Sequence, residues 1–119
     1  MKYVDGYVLP VAKKHLPAYR RMAQMAGKVW RKHGALDYKE CVGDDLKNQW
    51  GTPFPQMMKL KPGETVVFSY VVFKSRAHRD RVNAKVIKEM QKMSDMNMKD
   101  APFDMKRMTY GGFKVLVDV

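Results

Sequence analysis

Residues 66 to 73 read Val-Val-Phe-Ser-Tyr-Val-Val-Phe, an apolar run interrupted only by Ser69. Neighbouring side chains of a β-strand point to opposite faces, so a sheet with one wet face carries apolar residues only at every second position. Here Val66, Phe68, Tyr70 and Val72 line one face while Val67, Val71 and Phe73 line the other. Such a strand, expected over 64–74, needs cover on both sides. A first strand over 2–12 repeats the doubling, with Tyr3, Tyr7 and Leu9 against Val4 and Val8. A fourth, over about 107–117, sets Phe113, Val115 and Val117 against Tyr110 and Leu116.

Between these strands the apolar period changes from two to between three and four. From Pro17 it runs through Tyr19, Met22, Ala23, Ala26, Val29, Trp30 and His33 to Gly34, which predicts a helix closed by a left-handed glycine. Ser75 is a candidate cap for a second helix, whose inner face is Val82, Val86, Met90 and Met93. Residues 35–42 read as an edge strand, with Leu36, Tyr38 and Val42 on one side and Asp37, Lys39 and Cys41 on the other. In 43–63, Pro53, Pro55, Pro62, Gly51 and Gly63 predict a long loop without regular structure, tacked down by Trp50, Phe54 and Met57. A methionine-rich turn through Pro102 then leads to the last strand.

The resulting order is βαββαβ, and right-handed crossovers put both helices on one face of a four-stranded antiparallel sheet. That is an α+β, ferredoxin-like plan, expected as a single domain over 1–119. Two helices cover one face only, and the other face is a larger apolar patch than monomers usually expose. A second copy, paired so that one patch covers itself, is the expected occupant, with Phe68, Tyr70, Tyr3 and Tyr7 at the dimer interface. The alternative is that the 43–63 loop folds across the open face.

A chain of 119 residues has room for one core. No apolar run approaches the roughly 18 residues of a membrane span, and Asp5 and Gly6 interrupt any secretory signal core. The lone cysteine, Cys41, excludes an intrachain disulfide, and a cytoplasmic location is expected. The net charge of +11 is unevenly spread. Residues 13–33 hold seven Lys or Arg and no acid, and residues 74–99 hold eight against three acids, so the positive field belongs to the helices.

The segments YVDGYV at 3–8, HGALDYKECVGDD at 33–45, VVFSY at 66–70, SRAHRDRVNAK at 75–85 and PFDMKRMTYGGF at 102–113 resemble the YbaA-like bacterial proteins, a family of unknown function. The resemblance spans nearly the whole chain and implies a ferredoxin-like subunit of the dimeric α/β-barrel superfamily, in which two sheets face each other. It implies no activity. Residues 46–63, Met105 and Tyr70 depart from the family pattern.

RNA recognition motifs share the βαββαβ order, and Phe68, Tyr70, Val71 and Phe73 fall at suitable places in their third-strand signature. The base and both small residues of that signature are missing, and the charge lies on the helices instead of the sheet, which argues against nucleic acid. The basic helices could instead form the working face of a non-catalytic binding module. For chemistry, charged groups set within strands stand out, since desolvation can shift their pKa values. Asp5, Glu40, Arg107 and Tyr110 are the catalytic candidates, and Asp104, Lys106, Gly111 and Gly112 the ligand-binding ones, with an Asp5–Arg107 ion pair as the structural alternative. Gly111-Gly112 also suggests a bulge or a close backbone approach. His15, His33 and His78 lack metal-ligand spacing, and no metal or cofactor is expected. Cys41 reads as a small buried hydrophobe. By analogy with the superfamily, the expected function is binding or converting a small molecule in a pocket between sheet and helices, lined by Asp5, Glu40, Arg107 and Tyr110.

Overall fold

The doubly apolar strand lies in the middle of the sheet, as its composition requires. In the computed structural model, which describes residues 1–93 and 101–119, β1 is Tyr3–Ala12, β2 Asp37–Val42, β3 Glu64–Phe73 and β4 Thr109–Lys114. Their spatial order is β2-β3-β1-β4 and every neighbouring pair is antiparallel. Helix α1 spans Leu16–Lys32, a single turn α2 spans Phe54–Met57, and α3 spans Arg76–Met93. This is the ferredoxin-like arrangement that the sequence predicts.

Register divides the side chains cleanly. Tyr3 pairs with Phe73, Asp5 with Val71 and Leu9 with Val67, and all of them face the helices. One part of the core joins Tyr3, Val71 and Phe73 to Val29 of α1 and to Val82 and Val86 of α3. Another joins Leu9, Val11 and Val67 to Tyr19 and Ala23. Val4, Val8, Phe68, Tyr70, Val72 and Phe113 occupy the opposite face, where Phe68 is 44% exposed and Phe113 61%. The molecule measures 41 × 38 × 20 Å, and its short dimension suits one sheet layered on one set of helices. The expected interface quartet therefore divides: Phe68 and Tyr70 stand on the open face, whereas Tyr3 and Tyr7 stand on the helix face, because odd positions of β1 all turn toward the core.

The helix ends follow local chemistry. After α1 the Gly34 N–H bonds to Arg31 O at 3.1 Å and the Ala35 N–H to Trp30 O at 3.0 Å, with Gly34 at φ +114°. That pair of bonds is the Schellman closure a glycine permits. Ser75 Oγ accepts the His78 N–H at 3.1 Å and caps α3, a contact worth about 1 kcal/mol. Met93's side chain and the segment of Met96 and Met98, where the sequence predicts a turn, lie outside the described residues.

Four expectations are corrected. The 43–63 connection is not wholly irregular, since α2 forms there with Pro55 in its only turn, a position that needs no proline N–H. Trp50, Phe54 and Met57 do not tack it down: all three are exposed, Trp50 to 89%. Backbone bonds at its ends hold it instead, from Gly43 N–H to Val66 O and from Lys13 N–H to Gly63 O, both 2.8 Å. The strand predicted over 107–117 is β4 alone, because Met105–Arg107 forms a 3₁₀ turn over the Asp104 cap. Finally, Gly111 and Gly112 continue the β1 register without a bulge.

Candidate functional site

The helix face of β2 carries Tyr38, Glu40 and Val42, since residues two apart share a side. Opposite them α1 offers its smallest residues, Ala23 and Gly27. The ring of Tyr38 packs so closely on Gly27 that an added Cβ would lie 2.7 Å from it. Alongside this contact, between α1 and the β2 edge, an open groove of about 1220 Å³ runs from Leu16 to Arg31. Tyr19, Ala23, Gly27, Val67 and Tyr38 contribute its apolar and aromatic lining, and Arg20, Arg21, Lys28 and Arg31 come from the α1 side.

Glu40 is the carboxylate of this groove. Tyr19 Oη donates to its Oε2 at 2.9 Å and lies 3.2 Å from Oε1, and Tyr38 Oη donates to Oε1 at 3.1 Å. Ser69, opposite it in the β2–β3 register, adds a third hydroxyl contact. Burial pushes the Glu40 carboxyl above its ordinary pKa, and the three hydroxyl bonds only partly oppose that rise. Burial, then the nearby Glu40, raises both tyrosines and keeps them protonated donors. A carboxyl so held can accept a hydrogen bond or exchange a proton with a molecule lying in the groove.

The other candidates fall into two further places. Asp5 is fully buried beneath α3, where Asn83 Nδ2 donates to its Oδ2 at 3.1 Å and Arg79 Nε lies 3.7 Å from Oδ1. The expected Asp5–Arg107 pair is thus replaced by Asp5–Arg79, because Arg107 leaves the sheet one turn before β4 begins. Neither Asp5 Oδ1 nor Arg79 Nε has a hydrogen-bond partner among the described residues. Burial, the largest influence, raises the Asp5 carboxyl pKa, against Asn83 and Arg79. Arg79 also donates to Tyr3 Oη at 3.1 Å and Tyr110 Oη at 3.4 Å, and Tyr110 stacks on Tyr7 at 4.8 Å. Gly112 admits this group: an added Cβ would collide with Tyr3 Oη and lie 3.0 Å from Arg79. The close approach expected at the glycine pair therefore comes from the chain itself.

Arg107 forms a two-point pair with Glu64, at 2.6 and 2.8 Å, and donates to Lys59 O at 3.2 Å. Asp104 accepts the Lys106 N–H at 3.0 Å, and Lys106 is exposed. Arg107, Glu64 and Asp104, but not Lys106, border a small hollow of about 250 Å³ at the far end of β1. His33 pairs with Glu89 at 2.9 Å, and His78 accepts the Lys74 N–H at 3.0 Å. Cys41 is exposed on the β2 edge and is not the buried hydrophobe expected, because an outer strand has a neighbour on one side only.

Of the four catalytic candidates, the groove contains Glu40 alone. Tyr19, Tyr38 and Ser69, which complete its setting, are not singled out by sequence. The Tyr38–Glu40 pairing was accessible from strand alternation, but the approach of Tyr19 depends on how α1 docks.

The chain matches the DUF1428 family, described as a protein of unknown function, over residues 2–105. It is 40% identical over 122 residues to the uncharacterized protein YbaA of Escherichia coli K12, covering 99% of both chains, and equally similar to YbaA of Shigella flexneri. A solved structure described as a dimeric ferredoxin-like protein from an uncultured marine organism superposes with a TM-score of 0.54 at 12% identity, over 99% of this chain and 98% of that one.

Proposed function

Since the chain belongs to the DUF1428 family, whose function is unknown, we infer its role from the groove and propose that it is a cytoplasmic small-molecule-binding protein that works as a homodimer. The observation that carries the ligand reading is the convergence of Tyr19, Tyr38 and Ser69 on Glu40 inside an otherwise apolar groove. Ligand sites are commonly concave, mostly apolar, and furnished with a few oriented polar groups. The dimer is supported by the apolar open face and by the dimeric description of the marine structural neighbour. Within the strands that face carries Asp37, Lys39 and Glu64, with Lys39 paired to Asp37 at 2.5 Å. No excess positive charge surrounds Phe68 and Tyr70, which favours a second copy over a nucleic acid. The single exposed Cys41 suits a reducing compartment.

The ligand reading is tested by titrating isotope-labelled protein with a chemically diverse fragment set. Amide shifts are expected at Gly27, Tyr38 and Glu40, with affinity lowered roughly tenfold in the isosteric Glu40→Gln variant. Shifts confined to the Arg79–Tyr110 cluster or to the hollow beside Arg107 would move the site elsewhere.

A further inference from the structure

The groove's charge is one-sided. Arg20, Gln24, Lys28 and Arg31 stand at i, i+4, i+8 and i+11 on α1, so they form one stripe along the helix, with Arg21 beside it. Among the described residues Glu40 is the sole carboxylate lining the groove, and it is occupied by hydroxyl donors. Arg31 is committed to the end of its own helix, where it donates to the carbonyls of Ala35 and Leu36. Among the described residues no carboxylate pairs with Arg20, Arg21 or Lys28, whereas Lys32, Arg79 and Arg107 each have an acidic partner. Three unclaimed cations thus border an apolar channel whose one acid does not neutralise them.

We propose that the groove selects an amphiphilic anion: a soluble small molecule with a carboxylate, sulfonate or phosphate head held by Arg20, Arg21 and Lys28 and an apolar body lying along Ala23, Gly27 and Tyr38. This rests on the groove being the ligand site and adds the chemical class. The opposite charge type is disfavoured by the cations, and a neutral molecule leaves them unused. An extended apolar body fits because Leu16, Pro17, Val42 and the Tyr38 ring seated on Gly27 line the channel. Long cationic side chains at the border can follow the head group while their stems cover the body.

The test compares octanoate, octanol and octylammonium, which share one body and differ in charge, by calorimetry and amide shifts on the full chain. Octanoate alone is expected to bind with shifts at Gly27 and Tyr38. Neutralising Arg20→Gln and Lys28→Gln together lowers its affinity about tenfold, each exposed charge supplying a fraction of a kcal/mol. Lys13→Gln with Lys14→Gln, outside the groove, leaves the affinity unchanged. Equal binding of all three at the groove would overturn the anion selection while leaving the groove reading intact. Octanoate shifts located only at Lys13 and Lys14 would overturn both, and binding by none of the three would overturn the proposed class. Sedimentation with phosphatidylglycerol vesicles, abolished by the same double variant, would assign the cations to a membrane surface and also overturn it.

Discussion

Two buried or half-buried carboxylates give opposite responses to acid. The Arg107 guanidinium and the Lys61 backbone N–H hold Glu64 well below its ordinary value of 4.5, at about 2. The unfolded chain therefore takes up that proton first as pH falls, so the Glu64 contribution is complete above about pH 4.5 and is lost progressively toward pH 2. Glu40 is shifted upward by burial, so the folded state holds its proton more tightly than the unfolded state. Its contribution is complete below the ordinary carboxylate value and disappears as pH rises through the elevated one. Urea midpoints measured across pH should separate the two. Arg107→Leu lowers stability by about 1 kcal/mol at neutral pH and flattens the decline between pH 4.5 and 2, whereas Glu40→Gln removes the decline on the alkaline side of pH 4.5.

At the scale of elements, the docking of α1 on β2 depends on an absent side chain. Glycine is a poor helix former, and Ala in the same place would ordinarily gain up to about 1 kcal/mol. At position 27 the added Cβ would instead meet Cδ1 and Cε1 of Tyr38 at 2.7 and 2.8 Å. Gly27→Ala is expected to destabilise by roughly 1–3 kcal/mol as the ring is forced aside. Adding Tyr38→Leu should recover part of that loss, measured as coupling in a double-mutant cycle by chemical denaturation. Additive losses would show that Tyr38 is not what makes glycine necessary. A comparable close fit anchors α3 through Arg79, Tyr3 and Gly112, so each long helix meets the sheet at a position where a glycine leaves room.

For the whole molecule, the proposed pairing rests on the open face. Phe113 lies over Gly6 and Gly111, with its ring 3.6 Å from the place where either Cβ would stand, and so turns two glycines into part of an apolar surface. The exposed Phe68 and the half-buried Tyr70, Val4, Val8 and Val72 share this face with it, whereas Pro10 and Val66 at the far end of the same face are buried. Sedimentation velocity at micromolar concentration is expected to give twice the 13.8 kDa chain mass. Phe68→Lys should shift the species to one chain mass with its circular dichroism unchanged, since Phe68 projects away from the core. A wild-type monomer under those conditions would exclude pairing through this face.

Strand and helix periods, the glycine closure at Gly34 and the Ser75 cap were legible from residues alone, because each depends on neighbours within a few positions along the chain. The same local logic identified Phe68 and Tyr70 as sharing a face, and alternation could have put Tyr38 beside Glu40. It could not say which face of β1 the helices would choose, so Tyr3 and Tyr7 went to the wrong side, nor that Asp5 would meet Arg79, 74 residues away, in place of Arg107. Those outcomes, and the gathering of Tyr19 and Ser69 around Glu40, depend on the rotation of helices over the sheet. That rotation is decided by packing between segments distant in sequence, where a single glycine or tyrosine determines how closely two elements approach.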